Sequence, residues 1–339
     1  MLTQIPRLIV FTATCQILIS SAEAGETTAQ SVIESGLRFL ETDRPALVTG
    51  KSCVNCHHAA VRGWSMREAA RSGFRIDLDA LNTVTDRQLS LLQDRVTQYR
   101  SKKWGHSLAM FYAVSLFGED RDQHSEYDES LTGIILSEQT PEGTWKAAGQ
   151  FNNQRRPQGE GEEVQTMWGV LALARLTAND EVNAASERAR SWLKTAKRGT
   201  TIDSRVLRLL LARESEDHEQ SQQLLTQLQE SQHDDGGWGW QADDESDAWA
   251  TGMALYALSW FDAADVGSTV TGARTFLAST QKENGSWHVE GKLKKNPEMA
   301  SYFGTAWAVI GMTRTMSTPR AAAATINKWE DASSHASDG

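Results

Sequence analysis

The pattern Gln-x-x-x-Gly-x-Trp occurs three times in this chain and constrains the fold more than any other feature. It appears as "QTPEGTW" from Gln139, "QHDDGGW" from Gln232 and "QKENGSW" from Gln281. At ordinary residue frequencies, fewer than ~0.1 such matches are expected by chance. Each match lies between an amphipathic segment, as in "GARTFLASTQ", and a segment of small and aromatic residues, as in "SDAWATGMALYALSW". The repeated unit is therefore predicted to be a helical hairpin.

Six such helix pairs are predicted along the chain. Their first helices lie at approximately 30–42, 86–100, 127–138, 184–197, 219–231 and 269–280. Their second helices lie at approximately 57–72, 104–117, 164–176, 202–213, 247–260 and 301–315. The second helices are apolar on nearly every side, which is typical of buried helices, whereas the first helices carry more charge. Six buried helices inside six amphipathic ones predict an all-α fold, an (α/α)6 toroid, with a pocket at its centre.

The repeat motifs resemble those of squalene and other terpenoid cyclases, and the predicted ring resembles the α/α toroid that these enzymes share with protein prenyltransferase β subunits. The resemblance covers most of residues 30–316 and is most specific from Gln139 onward. It implies more about fold than about activity. For the Gln and Trp residues of the motifs we expect structural roles, with Gln binding backbone groups at a helix end and Trp packing between hairpins. These residues are Gln139, Trp145, Gln232, Trp238, Gln281 and Trp287.

The first residues are typical of a secretory signal peptide. Arg7 precedes an apolar run from Leu8 to Ile19, and the small-residue segment "SAEAG" follows it, which predicts cleavage after Ala24. The apolar run is about a dozen residues long, whereas a membrane span needs about twenty. We therefore predict a signal peptide at 1–24, a toroid at 25–316 and a disordered tail at 317–339, in a periplasmic or secreted protein without a membrane span.

Charge and cysteine content limit the partners and the covalent chemistry. The formal net charge of -10 disfavours nucleic acid and anionic membrane surfaces as partners, while a basic electron-transfer protein remains a candidate. After removal of the signal peptide only Cys53 and Cys56 remain, so a disulfide framework is excluded.

The segment "GKSCVNCHHAAVRGW", which begins at Gly50, contains the pattern Cys-x-x-Cys-His. Covalent attachment of haem c needs two thiols for the two vinyl groups and an imidazole that ligates the iron. Cys53, Cys56 and His57 supply these groups, and the segment resembles the attachment motif of c-type cytochromes. The alternatives are a redox dithiol, which would want a βαβ setting, a zinc site, which would want a second ligand pair, and chance.

The second axial ligand of the iron is less constrained. His58 directly follows the proximal ligand, and Met66 lies about 13 Å along the same helix, so both are poor candidates. The next buried helix begins "WGHSLAM" and presents His106 and Met110 on one face. We expect His106 to be the distal ligand, with Met110 as the alternative; a third option is that the sixth position holds water or nothing.

A second candidate site lies in "DDESDAWATG", which begins at Asp243. Squalene-hopene cyclases protonate an alkene with an Asp-x-Asp-Asp cluster, and Asp244, Ser246 and Asp247 can be aligned with it, although Ser246 replaces the middle aspartate. Asp244 and Asp247 are therefore weak catalytic candidates, and helix capping by Ser246 and Asp247 is the structural alternative. The zinc site of prenyltransferases is excluded because no cysteine follows Cys56.

The polar stretch "GQFNNQRRPQ", which precedes "GEGEEVQT" (Gly159 to Thr166), has no helical period and is predicted to loop over one rim of the ring, where it would either select ligands or be a solvated connector. Three functional hypotheses follow for the whole chain. The first is a redox protein whose toroid centre binds or oxidises an apolar, isoprenoid-like molecule. The second is a non-catalytic binding or scaffold toroid in which haem is an electron relay. The third is a cyclase-like lyase with an accessory haem.

Overall fold

The computed structural model describes residues 9–42, 58–98, 105–116, 121–295, 297 and 299–316. These residues contain thirteen α-helices, and a 3-10 helix, Arg121–Tyr127, lies between the fourth and the fifth. The α-helices are α1 (Ile9–Thr42), α2 (His58–Arg71), α3 (Leu78–Gln98), α4 (Gly105–Leu116), α5 (Asp128–Ser137), α6 (Gly149–Asn153), α7 (Glu160–Leu173), α8 (Asp180–Thr195), α9 (Ile202–Glu214), α10 (His218–Glu230), α11 (Ala248–Leu258), α12 (Ala263–Thr280) and α13 (Met299–Arg314). Within the described residues, β-type pairing is limited to one isolated bridge between Gln154 and Leu293.

Six helices, α2, α4, α7, α9, α11 and α13, form a closed inner ring. Each packs against the next, and α13 packs against α2. Every residue of α11 is buried, whereas the flanking helix α8 buries only Val182, Ala185 and Ala189. Apolar residues on all sides thus select the inner position, and a narrow apolar stripe selects the outer one. The predicted all-α toroid of paired helices is confirmed.

The inner helices lie close to their predicted bounds, whereas four outer helices, α1, α3, α8 and α12, begin earlier than predicted. Helix α3 begins at Leu78 instead of 86 because Asp77 caps it, accepting a hydrogen bond from the backbone N–H of Ala80 at 3.0 Å. Its first turn is exposed, with Leu78 at 41%, so no hydrophobic period marks it. Helix α12 likewise begins at Ala263 instead of 269. Helix α1 runs continuously past Ala24, so the signal peptide and its cleavage stay predictions.

No helix in the described part of the chain combines the length and the apolar character needed to cross a bilayer.

The Gln residues of the three repeats tie successive hairpins together. Each side-chain amide donates one hydrogen bond within its own turn, to the carbonyl of Gly143, Gly236 or Gly285, at 2.7 to 3.0 Å. It donates a second to a carbonyl in the next outer helix. Gln139 reaches Ala185 at 2.8 Å, Gln232 reaches Thr269 at 2.9 Å, and Gln281 reaches Val32 at 2.9 Å. The last of these bonds joins the final repeat to α1 and so helps to close the ring.

The Trp residues of the repeats anchor each turn to its own hairpin. The three indoles are almost completely buried, and each N–H donates to a backbone carbonyl near the end of the preceding outer helix. The acceptors are Ile135 for Trp145, Leu228 for Trp238 and Leu277 for Trp287, at 2.7 to 3.0 Å. The structural role predicted for the Gln residues is therefore confirmed, and the Trp residues are structural as well, although these hydrogen bonds lie within each hairpin and not between hairpins.

We expect Gly285→Ala to destabilise the fold by about 2 kcal/mol or more, since two effects add. Gly285 has a φ of +85°, and a Cβ there would lie 2.1 Å from the carbonyl oxygen of Ser35 in α1. Gly291→Ala is the matched control, because its φ is +72° but no atom lies within 4 Å of the new Cβ. Urea unfolding of both variants measures the difference, and equal losses would show that the close approach to α1 contributes nothing.

Candidate functional site

The cysteine motif itself lies outside the described residues, so Cys53, Cys56 and His57 stay predictions. Helix α2 begins at His58, immediately after the motif. Topology places the amino end of α2 on the same face of the ring as the amino ends of the other inner helices, because each inner helix follows an outer one. The candidate distal ligands are in α4, which packs against α2.

His106 lies in the first turn of α4 and is 2% exposed. Its Nε2 is 3.1 Å from the carbonyl oxygen of Lys146, an acceptor that fixes the proton on this nitrogen. Burial lowers the pKa of His106, and the bond to Lys146 only partly opposes this, so the neutral ring is favoured. Its Nδ1 is buried and has no hydrogen-bond partner among the described residues. A neutral imidazole held through one nitrogen, with a lone pair on the other, is the form that ligates a metal.

Met110, the alternative ligand, is already engaged on the side of α7. Its sulfur accepts a hydrogen bond from the side-chain amide of Gln165 at 3.0 Å. Its methyl group lies 3.0 Å from the position that a Cβ on Gly169 would take. Of the two candidates, His106 thus has a buried nitrogen without a partner among the described residues, whereas the sulfur of Met110 already accepts one hydrogen bond.

Asp247 caps α11. Its Oδ1 accepts hydrogen bonds from the backbone N–H groups of Trp249 and Ala250 at 2.9 and 3.0 Å, and its Oδ2 is 3.1 Å from the ammonium of Lys292. Burial raises the pKa of the carboxyl, and Lys292 and the two N–H groups oppose that effect. Asp244 is half-exposed and lies 3.6 Å from the same ammonium. Both weak catalytic candidates thus have structural partners.

Ser246 does not cap the helix, contrary to the structural alternative stated above. Its hydroxyl lies 2.8 Å from Asp235 Oδ1 and 2.9 Å from Nδ1 of His233. The other nitrogen of His233 is 3.1 Å from the carbonyl oxygen of Ala242. These contacts brace the turn of the second repeat against the amino end of α11. The sequence alone cannot tell whether Ser246 or Asp247 caps the helix, and in the structure Asp247 does so.

The segment 159–166 is helical from its second residue, although the second helix of this pair is predicted to begin only at 164. Helix α7 begins at Glu160, and Glu160 and Glu163 are 4% and 1% exposed. Glu160 accepts hydrogen bonds from the N–H groups of Thr200 and Thr201, and Glu163 accepts one from Gly199 and pairs with Arg208. Burial raises the pKa of Glu163, and Arg208 opposes this shift. The two carboxylates hold the loop between α8 and α9, and their partners are too distant in sequence to predict.

The polar stretch before α7 is partly buried and begins with the short helix α6, although the sequence predicts a rim loop without a helical period. Phe151 packs against Trp168 with ring centroids 6.1 Å apart. The backbone N–H of Arg155 donates to the carbonyl of Lys292 at 2.7 Å, and that of Lys294 donates to Asn153 at 2.8 Å. The stretch therefore links the third hairpin to the sixth.

Aromatic side chains meet at the centre of the ring, where the sequence predicts a pocket. Trp64 of α2 has ring-centroid distances of 5.2 Å to Tyr256, 5.2 Å to Trp307, 5.4 Å to Phe111 and 6.3 Å to Trp168. Mostly edge-to-face pairs of this kind are favourable packing arrangements. Five inner helices contribute one ring each, so in the described part of the chain side chains occupy the centre at this level.

A recess lies at the carboxyl ends of α7, α9 and α11. Arg175 and Glu214 form a two-point ion pair at 2.6 and 3.3 Å along it, and Arg213 stacks 4.9 Å from the ring centroid of Trp260. The cavity volume is about 20 Å³, enough for about one water molecule. Arginines at the carboxyl ends of helices also complement the helix dipoles, which gives them a structural role here.

Asp86, His124 and Glu126 place potential metal-ligating atoms within 4.8 Å of one another, a cluster that sequence analysis missed. The guanidinium of Arg67 lies 3.0 Å from Nε2 of His124. Because a guanidinium only donates hydrogen bonds, Nε2 must carry the lone pair and Nδ1 the proton. To ligate a metal ion through Nδ1, His124 would have to lose this proton and become an imidazolate, next to the carboxylates of Asp86 and Glu126. The cluster therefore does not fit a metal ion.

No family model matches the chain, and no curated protein matches it either. Solved structures do match. The apo type II terpene cyclase MstE from Scytonema is 14% identical, with a TM-score of 0.55 over 85% of this chain and 98% of that chain. MstE in complex with geranylgeranyl dihydroxybenzoate is 12% identical, with a TM-score of 0.54 over 86% of this chain and 98% of that chain. A possible GH105 family member from Klebsiella pneumoniae is 14% identical, with a TM-score of 0.55 over 86% of this chain and 93% of that chain. At these identities the likeness shows the fold alone, a terpene cyclase-like α/α toroid that also serves unrelated enzymes.

We expect Asp247→Ala to lower the free energy of unfolding by about 3 kcal/mol, because it removes the cap of α11 and leaves the 7% exposed Lys292 without its nearer carboxylate. Asp247→Asn should fall between this variant and the wild type, since Asn caps well but cannot pair. Asp244→Ala, at a half-exposed carboxylate, should cost about 1 kcal/mol or less. Chemical denaturation measures all three, and an Asp247→Ala variant as stable as the wild type would contradict the capping role.

Proposed function

We propose that this protein is an exported c-type haem protein in which the toroid is a scaffold and the haem an electron relay. The observation that carries the proposal is the buried imidazole of His106. It is neutral, oriented by Lys146, and its Nδ1 lacks a partner among the described residues. It belongs to the helix that packs against α2, and α2 begins directly after Cys-Val-Asn-Cys-His.

Four residues would hold the haem, and each would have a different role. Cys53 and Cys56 would form the thioether bonds, His57 would ligate the iron, and His106 would supply the second imidazole. Haem bound in this way supplies a one-electron Fe(III)/Fe(II) couple. The chain's own contribution is to keep His106 neutral by burial and to fix its tautomer through the carbonyl of Lys146.

Three features favour a relay over a ligand-transforming enzyme. Aromatic rings from five helices fill the ring centre around Trp64, and the recess at the opposite ends of the helices has room for about one water molecule. Asp244 and Asp247 both face Lys292. The net charge of -10 would attract a basic electron-transfer protein and speed its association at low ionic strength.

A second candidate function is the binding or oxidation of an apolar, isoprenoid-like molecule. The likeness in fold to MstE, which has been solved with geranylgeranyl dihydroxybenzoate, favours it. In this chain such a molecule would have to displace rings of the cluster around Trp64. A cyclase-like lyase with an accessory haem is less favoured, since Ser246 replaces the aspartate and is held by Asp235.

We expect the exported protein from a host competent in cytochrome c maturation to be heavier than the processed polypeptide by the mass of one haem. Intact-mass spectrometry measures this, and Cys53→Ala/Cys56→Ala is the matched control, which should be exported without the added mass. A wild-type protein of unmodified mass from that host would exclude covalent haem. Retention of residues 1–24 in the same spectrum would exclude the predicted cleavage.

We expect the wild-type protein to show a low-spin ferric spectrum at neutral pH and His106→Ala to show a high-spin or water-ligated one, since the second imidazole is lost. Met110→Leu and His288→Ala should keep the low-spin spectrum, because Met110 bonds to Gln165 and His288 is exposed beside Glu290. An unchanged low-spin spectrum in His106→Ala would remove this residue from the site. A high-spin wild type would instead indicate an open sixth position.

A further inference from the structure

His124 sits at a kink between two hairpins, not in the solvated loop that its polar neighbours suggest. It interrupts the 3-10 helix Arg121–Tyr127 with φ of -137° and ψ of 24°. Its side chain is 3% exposed, although the residues that follow it, Ser125 and Glu126, are exposed. The kink turns the imidazole inward while the chain on its carboxyl side stays at the surface.

The imidazole lies between the helices of the first and second hairpins. On one side, Nη2 of Arg67 in α2 is 3.0 Å from Nε2 of His124. The same guanidinium nitrogen is 2.8 Å from Oδ1 of Asn82 and 3.2 Å from Oγ1 of Thr85 in α3, so its two hydrogens are shared among these two acceptors and Nε2 of His124. On the other side, Oδ1 of Asp86 in α3 is 3.2 Å from Nδ1. One ring therefore contacts both α2 and α3.

This arrangement requires a neutral imidazole. Arg67 can only donate, so Nε2 accepts and Nδ1 carries the single proton, and Oδ1 of Asp86 lies 3.2 Å from that nitrogen. A second proton would have to be added on Nε2, where it would face the guanidinium at 3.0 Å. Among the described residues, the charged groups that face the ring are Arg67 from α2, Asp86 from α3 and Glu126 from its own 3-10 helix.

For a protonated imidazole, repulsion by Arg67 outweighs attraction by Asp86 and Glu126. Arg67 is 6% exposed, whereas the side chain of Asp86 is 45% exposed and Glu126 is at the surface, so solvent screens the carboxylates more than the guanidinium. Burial and then Arg67 lower the pKa of His124, and Asp86 and Glu126 oppose them only in part.

We propose that His124 is an acid-sensitive latch, which holds the 3-10 helix on α2 and α3 while the imidazole is neutral and releases it on protonation. The latch does not depend on haem or on the proposed function. A released His124 titrates near its ordinary value of about 6.5, and the latched one titrates lower. The latch therefore contributes fully above about pH 6.5 and is lost as the pH falls below that value.

The test is hydrogen exchange of the full-length exported protein between pH 7.5 and 5.0, expressed as protection factors so that the intrinsic pH dependence of exchange is removed. For the amides of Arg121–Tyr127, protection should fall by up to about tenfold per pH unit below pH 6.5. Amides of α11, in the opposite part of the ring, should keep their protection over this range. His124→Gln should show reduced protection of the 3-10 helix at pH 7.5 and little further change on acidification.

His288→Gln is the matched control, since this histidine is exposed and its variant should follow the wild-type profile. Equal pH dependence in the wild type and in His124→Gln would overturn the proposal, because another group would then be titrating. If His124→Gln does not fold, the wild-type profile decides alone. Protection of the 3-10 helix that is constant from pH 7.5 to 5.0 would exclude the latch.

Discussion

The side-chain amides of three glutamines are the interactions on which the ring depends. Each uses both of its N–H groups on backbone carbonyls, one in its own turn and one in the next outer helix. Because the acceptors belong to the backbone, the link does not depend on the side chains of the neighbouring helix. The same geometry recurs from Gln281 to Val32, so the joint that connects two consecutive hairpins also connects the last hairpin with the first. The regular spacing of the hairpins determines which residues lie at the ring centre and which lie at the helix ends.

The helix ends of the toroid carry its polar groups, and most of these groups are already committed to structure. Asp247 caps α11 and pairs with Lys292, while Glu160 and Glu163 anchor the loop before α9. His106 differs, because one of its nitrogens is engaged and the other is not. That contrast separates His106 from the capping and bracing residues around the ring and makes it the residue on which the haem proposal depends.

Sequence patterns predicted the structural features that depend on local or repeated residues. They did not predict features that depend on a partner distant in the sequence. The hairpins, the roles of Gln232 and Trp238 and the cap by Asp247 follow from spacing within short segments. The burial of Glu163 does not, because its partners Gly199 and Arg208 lie 36 and 45 residues further along the chain. The burial of His124 does not follow from its polar neighbours either, because the side chain that it contacts in the interior, Arg67, is 57 residues away. The tautomer of His106 was equally unpredictable, since it depends on a carbonyl 40 residues away.

The bond between Gln281 and Val32 also has a kinetic consequence, because its two residues are 249 positions apart. Helix α1 packs against α12 and α13, which are made last, so a growing chain cannot bury the inward face of α1 until nearly the whole ring has been synthesised. Contacts of such high sequence separation slow folding, since loop closure precedes the gain from packing. A protein that must cross a membrane before it folds would benefit from this delay. In the exported protein proposed above, the amino-terminal segment would stay available to the export machinery for as long as its final partners are missing.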